Sequence, residues 1–121
     1  MTLFTRTLLC LSLSVPSVAL ADACLSFAPH AAQLEGRLVS QTHIGPNEKP
    51  STGFYLELNK PICVEGTEDD DPVADVSLVQ LALDQDGSRR LESRLEQQVA
   101  LTGQLMSAHS AYHFAPLLLT Q

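Results

Sequence analysis

Imidazole and thiol are the groups in this chain with the widest chemistry, and both are scarce: four histidines and three cysteines in 121 residues. His109 and His113 fall in Ala108–His113, a polar stretch just before the last apolar run, and His43 falls in Gln41–Gly53. Neutral imidazole nitrogen is a good ligand for zinc or copper, so His109 and His113 are the candidate metal ligands. The plainer alternative for both is a polar turn that holds nothing. His43 and Tyr112 are the candidate contacts for a small ligand or a protein, because loops on a rigid scaffold commonly carry binding residues. His30 reads as structural.

Residues for covalent catalysis do not assemble in the pattern. No serine sits in a Gly-x-Ser-x-Gly turn. Ser107 and Ser110 neighbour His109, but the sequence places no acid to orient that imidazole. Carboxylates are plentiful, yet opposed pKa shifts require a cleft, and acidic runs are ordinarily solvated. No catalytic residue is expected, and the chain reads as non-enzymatic.

The formal charge is −7, or −8 without Arg6. Nucleic-acid binding leaves a basic stripe, and here the basic residues are scattered apart from Arg89-Arg90, so nucleic acid is excluded as an expected partner. The densest charge is Glu65-Gly66-Thr67-Glu68-Asp69-Asp70-Asp71-Pro72. Consecutive aspartates on an extended chain point in alternate directions and lack the spacing of a calcium loop. Asp84-Gln85-Asp86-Gly87 opens like such a loop, but Arg89 and Leu95 stand where glycine and glutamate are needed.

These residues need elements to position them, and residues 1–21 do not belong to those elements. Arg6, the apolar Leu8–Val15 and Ala19-Leu20-Ala21 make a secretory signal peptide. The apolar run is too short for a membrane span, so no stable insertion is expected once it is cleaved. Residues 22–121 suffice for one small domain in a periplasmic or secreted setting. Cys10 leaves with the leader, and Cys24 and Cys63 then have one possible pairing, a structural disulfide.

Within the domain, Leu34–Ser40 alternates with period two and reads as a strand. Gly36 inside it implies a bend, a bulge or a close backbone crossing. Gln41–Gly53 reads as a long loop, and Phe54–Leu58 as an antiparallel return strand ended by Asn59-Lys60-Pro61. That hairpin brings Cys24 toward Cys63. Val73–Leu83 shifts phase between Leu78 and Val79, which calls for a bulge or burial on both faces. Ser88 is the expected cap of a short helix to Gln97. Val99–Ser107 is the fourth strand, and its Leu101-Thr102-Gly103-Gln104-Leu105-Met106-Ser107 repeats the pattern of Leu34–Ser40. Phe114–Thr120 is the fifth, an expected edge because Pro116 cannot donate to a ladder.

The order strand, strand, strand, helix, strand, strand predicts a mostly β fold, a small five-stranded OB-like barrel with one short helix and one disulfide. An open α+β sheet is the rival. In an OB-fold the loops joining strands 1 to 2 and 4 to 5 flank the binding face, here Gln41–Gly53 and Ala108–His113.

Cys24-Leu25-Ser26-Phe27-Ala28-Pro29, Leu34-Glu35-Gly36-Arg37-Leu38, Lys60-Pro61-Ile62-Cys63-Val64 and Leu101–Leu105 with His109 and His113 resemble a group of uncharacterised bacterial secreted domains. The resemblance implies an extracytoplasmic compartment, the disulfide and a histidine-bearing turn before the last strand, with no established activity. The expected function is a periplasmic binding or accessory module that uses residues 41–53 and 108–113 to hold a small ligand or protein. The alternative is an inhibitor or immunity protein that blocks a cationic cell-wall enzyme or toxin, steered to it by charge.

Overall fold

The computed structural model describes residues 23–121, and the expected leader lies outside them. Five strands, β1 (Ala31–Ile44), β2 (Pro50–Val64), β3 (Val73–Ala82), β4 (Gln98–Ser107) and β5 (Leu117–Thr120), close into a barrel of order β1-β2-β3-β5-β4. All neighbours are antiparallel except β3 and β5, which run parallel from Val79↔Leu117 to Ala82↔Thr120. This is the expected OB-like barrel. Its interior is the apolar face of each alternating strand: Leu34 and Leu38, Leu56, Val79 and Leu81, Leu101 and Leu105, Leu117 and Leu119.

Closure requires strands to cross at short range, and the repeated glycines sit at those crossings. A Cβ on Gly36 would lie 2.2 Å from the Glu57 carbonyl oxygen, and one on Gly103 would lie 2.0 Å from that of Thr120. Neither glycine has a positive φ, so the need is for close approach and not for a left-handed backbone. The Leu-x-Gly-x-Leu echo is thus a demand of the barrel.

Several boundaries differ from the sequence reading. Gln41–Gly53 is mostly strand: β1 and β2 stay in register from Gly36↔Leu58 to Ile44↔Pro50, and only Gly45–Lys49 turns. The threonine hydroxyls of Thr42 and Thr52 pair across the ladder at 2.8 Å. Glu48 takes φ 62°, its N–H donates to the Gly45 carbonyl, and the Asn47 side chain accepts from the Lys49 N–H, so five residues close the hairpin. β2 also continues through Asn59-Lys60-Pro61, with a break in its register to β3 between Glu57 and Ile62. Along β3, Val76, Val79 and Leu81 are buried in the core while Leu78 packs on the outside, so the shifted phase reflects both irregular pairing and burial on two faces.

The helix α1 spans Gln85–Glu92 and begins earlier than Ser88, because the Asp84 carboxylate caps it by accepting the Gly87 N–H at 2.7 Å. Leu91 buries its stripe in the core. β5 is not an edge: it pairs with β3 on one side and β4 on the other. Pro116 lies just before it, where the missing N–H removes no ladder bond. Cys24 and Cys63 are bonded, with a separation of 39 residues. Beside them Leu25 bridges Val64, and Phe27 bridges Leu105 across one end of the barrel.

Candidate functional site

β4 and β5 are joined by residues 108–116, whose base is closed by the Ala108 N–H donating to the Pro116 carbonyl at 3.1 Å. This segment does not stand away from the barrel. Phe114 and Ala115 fold onto its outer surface and pack with Val39, Tyr55 and Leu78, the outward side chains of β1, β2 and β3. Tyr55 is only 1% exposed as a result, and burial pushes its phenol above the usual tyrosine pKa.

Gln80 fastens this cover. Its Nε2 donates to the Tyr112 carbonyl at 3.1 Å and its Oε1 accepts the Phe114 N–H at 2.8 Å. The His43 ring stacks on Phe114, with centroids 4.5 Å apart, and its Nε2 is 3.0 Å from Gln41 Oε1. The strand face used for binding in OB-folds is therefore occupied here by the chain itself. His43 lies on β1 rather than in a loop, and the side it presents to Phe114 is not a free ligand contact.

The turn carrying the other histidines is held by their own nitrogens. His113 Nδ1 accepts from the backbone N–H of His109 at 3.0 Å and of Ser110 at 3.1 Å. His109 Nδ1 lies 2.9 Å from the Ser107 carbonyl, which can only accept, so the proton is on Nδ1 of His109. By the same reasoning neutral His113 carries its proton on Nε2. The two rings meet edge to face at 4.6 Å. Burial, and then the neighbouring His109, hold His113 below the ordinary histidine pKa.

The structure thus brings His109 and His113 together, as a metal pair requires, but leaves one free imidazole lone pair, on His109 Nε2. A metal on His113 through either ring nitrogen would release the two backbone bonds to Nδ1, and through Nε2 it would also require the tautomer to change. No group of three histidine, cysteine, aspartate or glutamate side chains among the described residues is arranged to hold a metal ion. A recess of about 360 Å³ gathers Asp70, Ser107 and His109, the residue types of a hydrolase relay. His109 spends Nδ1 on the Ser107 carbonyl, however, leaving that nitrogen engaged away from any carboxylate.

The Tyr112 ring lies over Gly45, at a distance that would put a Cβ there 2.9 Å from Tyr112 Cε1. Ile44 is 66% and Tyr112 44% exposed, two of the three large hydrophobic side chains left exposed among the described residues. Residues 78–120 match a family described as Domain of unknown function (DUF4431). The matched stretch runs from Leu78 on the covered face through α1, β4 and the histidine turn to Thr120 of β5. No match was found among curated proteins or among solved structures.

The sequence reading locates the turn and Tyr112 but misses Gln80, Tyr55 and the covering role of Phe114. The available signal is the phase shift after Leu78, which sets Leu78 and Gln80 on the outward side of β3.

Proposed function

We propose that this domain is a non-enzymatic binding module of the periplasm or cell exterior, contacting a protein partner at the end of the β1–β2 hairpin through the exposed side chains of Ile44 and Tyr112. The carrying observation is the exposure of Ile44 and Tyr112 on two segments that already touch. An aromatic side chain held rigidly over its neighbour loses little freedom on binding, which is the usual character of an interface anchor. The disulfide supports an oxidising compartment. The hydrogen bonding of His109 supports a non-catalytic reading, since its Nδ1 holds the turn.

The test is capture of a partner from periplasmic extract by residues 22–121, repeated with Tyr112→Ala and Ile44→Ser. Loss of an anchor costs about 2 kcal/mol, roughly 30-fold in affinity. Undiminished capture by both variants would overturn the use of this tip.

The acidic run Glu65–Asp71, almost wholly exposed, favours a second reading, inhibition of a basic enzyme. A captured cationic hydrolase whose binding survives Tyr112→Ala but weakens steeply with salt would select that reading.

A further inference from the structure

The ladder between β1 and β2 stops at Gly36↔Leu58, while β1 continues to pair with β4 back to Ala31↔Gln104. In an antiparallel strand successive residues turn their N–H and C=O to opposite neighbours. Leu38 spends both on the β4 side, donating to the Gln97 carbonyl at 3.0 Å and accepting the Glu96 N–H at 2.7 Å. The even residues Leu34 and Gly36 therefore face β4, and Gln33 faces the side where β2 should continue. There the register of β2 with β3 is interrupted over Asn59-Lys60-Pro61. The N–H and C=O of Gln33 have no ladder partner on that side, and a groove of about 510 Å³ opens beside them.

The groove has an apolar lining, Leu25, Leu34, Leu58 and Ile62, and charged residues among its lining, Glu35 on β1 and Lys60 on β2. It is also prebuilt. The Cys24–Cys63 bond, the Leu25 N–H donating to the Cys63 carbonyl and the Glu65 N–H donating to the Leu25 carbonyl, both at 2.8 Å, fix its end before any ligand arrives. We propose that this groove binds an extended peptide segment of a partner protein, laid along β1 with its backbone on Gln33, an apolar side chain over Leu34 and Ile62, and a lysine or arginine beside Glu35. Free backbone donors and acceptors above an apolar floor are what strand addition uses. A cation opposite Glu35 on the same face is a favourable cross-strand pair, and the chain's net charge of −7 attracts a basic segment. The groove lies at the end of β1 away from the Ile44 hairpin, so this inference stands apart from the proposed use of that tip.

Two capped peptides provide the test, one alternating valine with lysine and one alternating valine with glutamate, titrated at physiological salt against the oxidised domain. The valine–lysine peptide should bind and should slow exchange of the Gln33 amide. Gln33→Pro removes that amide without touching the β4 ladder and should weaken binding at least tenfold. Glu35→Lys, an exposed substitution that leaves the fold intact, should reverse the preference toward the valine–glutamate peptide, while Tyr112→Ala should change nothing. Binding of neither peptide, an unchanged Gln33 amide, or an unchanged preference in Glu35→Lys would each overturn the proposal.

Discussion

One end and one outer face of this barrel are covered by segments held with different kinds of bond. At one end the chain crosses from β2 to β4 as Leu25 and Phe27, and a covalent link between Cys24 and Cys63 holds the crossing. On the outer face, residues 108–116 lie over Tyr55 and Val39, held by the two hydrogen bonds of Gln80, the stacked His43 and the acceptor nitrogen of His113. Covalent closure acts mainly on the unfolded chain and so on the whole domain, whereas side-chain acceptors act on the segment they hold. A groove at the covalently held end is fixed in advance, while the covered outer face can change with its fastenings.

The largest expected effect tests the covalent end. Replacing both Cys24 and Cys63 with alanine should lower the unfolding free energy by about 2–4 kcal/mol in urea denaturation, the range for a loop of this order. That is a substantial share of the roughly 5–15 kcal/mol of a small domain. The loss should appear at every slowly exchanging amide alike. A loss confined to residues near Leu25 would show that the disulfide fastens only its own end and would break the contrast.

Gln80→Ala tests the covered outer face with a smaller effect. It removes both bonds to the cover and leaves the Phe114 N–H without its acceptor, for an expected cost of about 1–3 kcal/mol. The change should concentrate in faster amide exchange at Phe114 and greater solvent exposure of Tyr55. Gln80→Glu, which keeps an acceptor for the Phe114 N–H but cannot donate to the Tyr112 carbonyl, should fall between. Equal exchange at Phe114 in all three proteins would mean that packing of Phe114 and Ala115 alone holds the cover.

The difference between the two regions also explains what is legible in the sequence. The disulfide is legible because Cys24 has one possible partner once Cys10 is assigned to the expected leader, and the barrel is legible because alternation and element order are properties of contiguous residues. Gln80 is not legible as a clamp, since its partners Tyr112 and Phe114 lie 32 and 34 residues further on. Tyr55 alternates as an outward residue and does point outward; it is buried because a later segment covers it. His43 is misplaced by the sequence for a related reason. Gly45, Pro46 and Pro50 suggest a long loop, but Asn47 and the left-handed Glu48 turn the chain within five residues and carry the ladder up to Ile44.

The smallest effect is the most local, and it concerns the acceptor nitrogen of His113. The backbone amides of His109 and Ser110 both donate to Nδ1, and a proton placed there abolishes both bonds. Burial and, secondarily, His109 lower the His113 pKa from its ordinary 6.5. The open turn therefore takes up the proton more readily than the closed one, so the stabilisation is present above about pH 6.5 and is lost as pH falls through the lowered value. Protection factors of the His109 and Ser110 amides, corrected for intrinsic exchange, should drop between pH 7.5 and 5.5 while those of the Cys63–Leu25 crossing stay level. His113→Asn supplies an acceptor oxygen that does not titrate in this range, so it should remove most of the pH dependence while retaining some protection. If the wild-type drop persists in that variant, another group controls the turn, with His109 the first to examine because its imidazole is in direct contact.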